Sequence, residues 1–149
     1  MIKILLIGFS VIAINVILQA IASTYWTRKI ASSVEKWHDE ITTRRAITLL
    51  ILSFLYLTLL HLIHALIWAV FIGILPATKV DFATSNDLFY YSVVTFTTLG
   101  YGDLTISSPW RMLSGFEAIN GIMLIGWSTA LMYSLIQNIY RSTYKSMHQ

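Results

Sequence analysis

The chain has 149 residues, of which 56% are hydrophobic and only 11% charged, with a net charge of +3 and no cysteine. Soluble domains carry about 25% charged residues, so this chain has too little polar surface to wrap a water-soluble globule, and a bilayer is its natural solvent. The lack of cysteine excludes a disulfide framework and thiolate chemistry. No nucleophile–base pair or nucleotide loop stands out, so the sequence reads as a non-enzyme.

The first element is an uncharged run of 19 residues, 4–22. Lys3 before it and Ala20-Ile21-Ala22 at its end imitate a secretory signal. Its apolar core is longer than the roughly 7–15 residues of a signal peptide, so an uncleaved transmembrane helix is expected over 1–24. Asn15 and Gln19 share one helical face with Gly8 and Ile12. Polar residues in lipid face protein, so this face is expected to hold the helix to the rest of the chain. Residues 25–45 follow as a linker. Ile30, Val34, Trp37 and Ile41 recur at helical spacing, with Arg28, Lys29, Glu35, Lys36, Asp39 and Glu40 between them. The pattern suits an amphipathic helix on the inner leaflet, anchored by Tyr25 and Trp26 and touching anionic lipids. A plain connecting helix packed on neighbouring subunits also fits it.

Two further runs are long enough to span, since crossing takes about 20 residues. The outer one covers 46–75, with His61 and His64 inside it. These histidines are expected to be structural, His64 lying near the depth of Asn120. The inner one covers 110–140 and contains Arg111 and Glu117. Glu117 is an ionisable group at membrane depth and needs a partner. It shares a face with Gly121, near Asn120, at the level where it can brace the segment between the two runs. Gly121 interrupts an otherwise strong helix and Gly126 follows, so both are candidate hinges, although small residues also serve close packing. Helical spacing makes Ile122, Ile125 and Thr129 candidates for lining an inner cavity.

Seven of the ten cations, Arg28, Lys29, Lys36, Arg44, Arg45, Arg141 and Lys145, belong on the cytoplasmic side by the positive-inside rule. The N-terminus is then outside, the C-terminus cytoplasmic, and residues 76–109 must leave and re-enter on one face. A polar turret covers 76–86. Ser85-Asn86-Asp87 offers cap residues for a helix over 87–97, and that helix reaches only about halfway across the bilayer. The return, 98–102, must be bare backbone. Bare backbone at membrane depth is tolerated only where protein buries it or water bathes it. Its carbonyls can replace the water around a cation, provided several copies meet at an axis. The short helix also aims its negative end inward, which favours a cation.

"TTLGYGD", residues 97–103, placed after an aromatic half-helix and between two spans, resembles the pore domain of tetrameric potassium channels. The resemblance covers about residues 46–140. It implies an all-α membrane fold with three transmembrane helices, a re-entrant pore helix and a selectivity-filter strand per chain, assembled as a homotetramer. It implies ion sites at Thr98, Leu99, Gly100, Tyr101 and Gly102, with K+ as the permeant ion and no organic cofactor. Leu99 stands where valine is commoner. By the same resemblance Asp103 bonds an aromatic residue of the pore helix, Tyr90 or Tyr91; Glu117, by its depth, is expected to support the filter. Val94 replaces a glutamate found in some bacterial members, Arg111 opens the inner helix, and Gly121 falls on the family's hinge glycine. The implied function is passive, selective conduction of dehydrated K+ across a plasma (inner) membrane. The alternatives are a weakly selective monovalent cation channel and a non-conducting subunit; a transporter would need several such hairpins per chain. No arginine-rich voltage sensor is seen, and the short tail, 142–149, is expected to carry no ligand-binding domain.

Overall fold

Among the described residues there are four α-helices in chain order: α1 (Ile2–Glu35), α2 (Thr43–Gly73), α3 (Ser85–Phe96) and α4 (Met112–Ser146), with short 3-10 turns at Pro76–Thr78 and Pro109–Arg111. The computed structural model describes residues 1–35 and 42–146. Helices over Ile2–Val34, Thr43–Gly73 and Pro109–Tyr140 are long and apolar enough to cross a membrane. Among the described residues there is no β-strand. The fold is therefore the expected all-α membrane fold, with α3 as the short helix between two spans.

Several boundaries differ from the sequence reading. α1 does not stop at residue 24. It runs unbroken to Glu35, because residues 9–35 contain neither glycine nor proline to end it. Of the segment expected as a separate linker helix over 25–45, residues 25–35 are the end of α1 and residues 43–45 the start of α2. Lys36, Trp37, Asp39, Glu40 and Ile41 lie outside the described residues. α3 begins at Ser85 because Thr84 supplies the cap: its hydroxyl accepts from the Asp87 backbone, and the Asp87 carboxylate accepts from the Thr84 backbone. α4 continues to Ser146, through most of the expected tail. The return segment 98–102 is irregular backbone, for no neighbouring strand pairs with it.

The chain divides into two compact units, Met1–Leu18 with His61–Ile125, and Gln19–Leu60 with Gly126–Gln149. In the first, Val11, Trp68, Ile72, Phe96, Leu113 and Leu124 form a buried core. α1 presents Ile4, Gly8, Val11 and Asn15 to it. Gly8 is small for a packing reason, since a Cβ there would stand 2.8 Å from the Phe116 ring. Lipid removes most of the hydrophobic drive between helices, leaving close packing and hydrogen bonds. The second unit uses both. Gln19 Nε2 donates to Ser128 Oγ at 3.0 Å. Trp26 Nε1 donates to Ser53 Oγ at 3.0 Å, and the indole stacks on Tyr56 with centroids 4.3 Å apart. Asn15 and Gln19 therefore both face protein as expected, and Trp26, expected as a membrane-interface anchor, packs against protein.

Candidate functional site

The last turn of α3 decides the path of the segment after it. Thr97 caps the helix. The Thr98 N–H then bonds the Thr95 carbonyl at 2.9 Å, and the Leu99 N–H bonds the Val94 carbonyl at 3.0 Å. Those two bonds, with Thr98 at φ 61°, make the Schellman ending of a helix. Glycine normally takes that left-handed position. A β-branched residue there is an outlier costing roughly 1–2 kcal/mol. Sequence reasoning missed this strain because no glycine marks the spot.

The pattern continues beyond the cap. Gly100 has φ 54° and Gly102 φ 79°, while Leu99 and Tyr101 between them keep negative φ. Backbone alternating between the two hands turns successive peptide units the same way, N–H groups to one side and carbonyls to the other. The Gly100 N–H also returns to the Val94 carbonyl at 3.3 Å. Among the described residues, none of the hydrogen bonds ends on the carbonyls of Thr98, Leu99, Gly100 or Tyr101. A row of carbonyls free of protein partners, at the negative end of a helix, is an arrangement suited to a cation.

The supports around it are specific. Tyr90 Oη donates to Asp103 Oδ2 at 2.9 Å, tying the middle of α3 to the residue after Gly102. That bond raises the Tyr90 hydroxyl above its ordinary range, so the phenol stays a donor. Tyr91, buried, shares a short hydrogen bond with Ser114 of α4 instead. Asp81 accepts from the Ser107 backbone at 3.3 Å, which ties the turret to the loop after the return segment. Arg111 lies in the hollow beside this segment with Val94, Thr98 and Gly100. Phe96 is buried, its ring 6.2 Å from that of His64.

α4 meets α3 at Gly121. A Cβ at Gly121 would overlap the Phe96 carbonyl oxygen and stand 2.7 Å from its carbon. At Gly126 nothing lies within 4 Å, and there α4 passes from one compact unit to the other. Ile122, Ile125 and Thr129 are exposed along α4. Glu117 is fully buried. Ser92 of α3 is close enough to act on it electrostatically, yet neither carboxyl oxygen nor the Ser92 hydroxyl completes a hydrogen bond. We expect Glu117→Ala to lower the stability of the protein by roughly 2–5 kcal/mol, the range for truncating a buried side chain of this size to alanine. Glu117→Gln keeps the shape and should restore it, as thermal melts of the two variants will show. An equal loss with glutamine would mean that the charge itself braces α3.

No curated protein and no solved structure matches the chain. A family model described as "Ion channel" matches residues 46–138, well over half of the 149. That match takes in α2, α3, the carbonyl row and nearly all of the third span, so the chain belongs to this ion channel family.

Proposed function

We propose that the protein is one subunit of a homotetrameric, potassium-selective channel whose filter is residues 98–102. The carbonyl row carries this reading: alternating φ signs from Thr98 to Gly102, with the N–H groups of Thr98, Leu99 and Gly100 returned to α3. Carbonyls of Thr98, Leu99, Gly100 and Tyr101, with the Thr98 hydroxyl, replace the hydration shell of K+. One row cannot encircle an ion, so four chains meet at an axis. Leu99 and Tyr101 are 56% and 67% exposed in the single chain, and a neighbour's surface would cover them. Asp103 and Tyr90 hold the outer end of the filter, and Tyr91 fixes α3 to α4. Ile122, Ile125 and Thr129 line the cavity below, and Gly126 is the better hinge, having open space around it. The N-terminus is external and the C-terminus cytoplasmic in the plasma membrane. Anionic lipids meet Arg28, Lys29, Arg44 and Arg45 at the inner face.

Reversal potentials in planar bilayers, under opposed K+ and Na+ gradients, test this reading. The wild-type protein is expected to reverse near the potassium potential. Thr98→Gly should relieve the left-handed strain, raising stability by about 1 kcal/mol, while weakening potassium preference through loss of the hydroxyl. Reversal midway between the two ions in the wild type would make the protein a weakly selective cation channel. Absence of flux would make it a non-conducting subunit.

A further inference from the structure

A buried ring of contacts ties the N-terminal helix to the base of the filter, and one indole sets its polarity. Trp68 Nε1–H can only donate, and it points at an Asn120 side-chain atom 3.0 Å away. That atom is therefore the amide oxygen, Oδ1. Asn15 approaches the same oxygen at 2.8 Å, so it presents its NH2 group there. Its own Oδ1 is left facing His64 Nδ1 at 3.2 Å, and His64 must carry a proton on that nitrogen. Trp68, His64 and Asn15 are all 0% exposed and Asn120 is 1%. The set is shielded from bulk solvent by the chain itself.

The ring closes through the pore helix. His64 lies along the Phe96 ring, with centroids 6.2 Å apart and planes at 21°. The carbonyl of Phe96 rests on Gly121, the residue after Asn120. α1, α2 and α4 are thus joined through Asn15, His64, Trp68 and Asn120, and α3 joins them through Phe96, which meets both His64 and Gly121. Phe96 stands two residues before Thr98, and its ring and its carbonyl are gripped at the same time. Asn15 is the one member on α1; it bridges His64 and Asn120, beside the bond by which Trp68 joins α2 to Asn120 directly.

We propose that Asn15 is a positioning residue for the filter: it fixes the separation of His64 and Asn120, and through them the place of Phe96 and the first filter carbonyl. This rests on the potassium-channel reading above. A buried amide that only holds α1 in place would act on stability and assembly alone. A positioning residue acts on the choice of ion.

Gln19 provides the comparison. One turn along the same helix, it makes a buried hydrogen bond to Ser128 on α4, and that bond lies outside the ring. Asn15→Leu and Ser128→Ala, which removes only the acceptor of the Gln19 bond, should therefore both lower the thermal stability of the assembled channel. Only Asn15→Leu should lower the K+/Na+ permeability ratio, by about tenfold, the change that roughly 1.4 kcal/mol of lost alignment produces. Asn15→Ala, which adds no bulk, takes the place of the leucine variant if that one fails to assemble. A wild-type ratio near one removes the potassium reading and this inference with it. A selective wild type overturns the inference alone if the Asn15 variants keep its ratio, or if Ser128→Ala shifts the ratio as far as they do.

Discussion

Alanine at Gly100 or at Gly102 is expected to abolish potassium-selective conduction. Neither site is crowded within the chain, since nothing lies within 4 Å of a Cβ at either. The obstacle is the backbone itself. With φ at 54° and 79°, both residues sit in the left-handed region, where an added Cβ costs about 1–2 kcal/mol per residue. Thr98 already bears one such cost in every subunit, and a second falls on the same five-residue path. The backbone relieves it by turning a peptide unit, which swings one carbonyl out of the row. In a symmetric assembly that loss repeats in each chain. Potassium flux from reconstituted vesicles should vanish or lose its ion preference, while size-exclusion chromatography still finds the assembly intact. Unchanged selective flux in both variants would remove residues 98–102 from the filter role.

Gly121→Ala is expected to damage the same function from behind. Its Cβ would overlap the Phe96 carbonyl oxygen, and the neighbouring atoms at 2.7 and 3.2 Å are backbone too. No side chain can rotate away, so α4 must part from the end of α3. Overpacking of this kind costs roughly 1–3 kcal/mol where side chains can adjust, and rigid backbone on both sides places Gly121 at the upper end. The variant should lose stability and, where it assembles, select potassium poorly. Gly126→Ala differs in sign. It has open space and gains roughly 1 kcal/mol of helix propensity, so it should be at least as stable as the wild type. If α4 bends at Gly126, that variant changes open probability and keeps the ion preference. A Gly121→Ala channel with normal selectivity and altered opening would return the hinge to Gly121 and the packing role to nothing.

Much of the architecture was legible beforehand, for a physical reason. Bilayer thickness imposes a length on every span, and charge cannot be hidden in lipid, so uncharged runs and cation clusters mark the helices. The half-length of α3 and the glycines after it followed from the same constraint. Boundaries were less legible. Residues 25–35 carry polar and charged side chains that looked like a change of element, yet helix continuity depends on backbone breakers, and none is there. The pairing of Asp103 with a tyrosine came from the resemblance, but nothing in the sequence separates Tyr90 from its neighbour. The helical turn does, sending Tyr90 to Asp103 and Tyr91 to Ser114.

The sequence by itself determined the membrane class, the number and order of the long apolar helices, the position of the irregular segment after α3 and the need for residues that accept unusual dihedrals. These depend on local composition and on bilayer geometry, which any stretch of chain meets alone. The tertiary structure decided that Thr98 holds a glycine's conformation, that Gly121 is small because a carbonyl lies against it, and that Asn15, His64, Trp68 and Asn120 share one set of hydrogen bonds. These four residues lie on three helices, up to 105 positions apart in the chain. Only packing brings such side chains within reach. The direction of each donor is then settled by its neighbours in space, which no local pattern records.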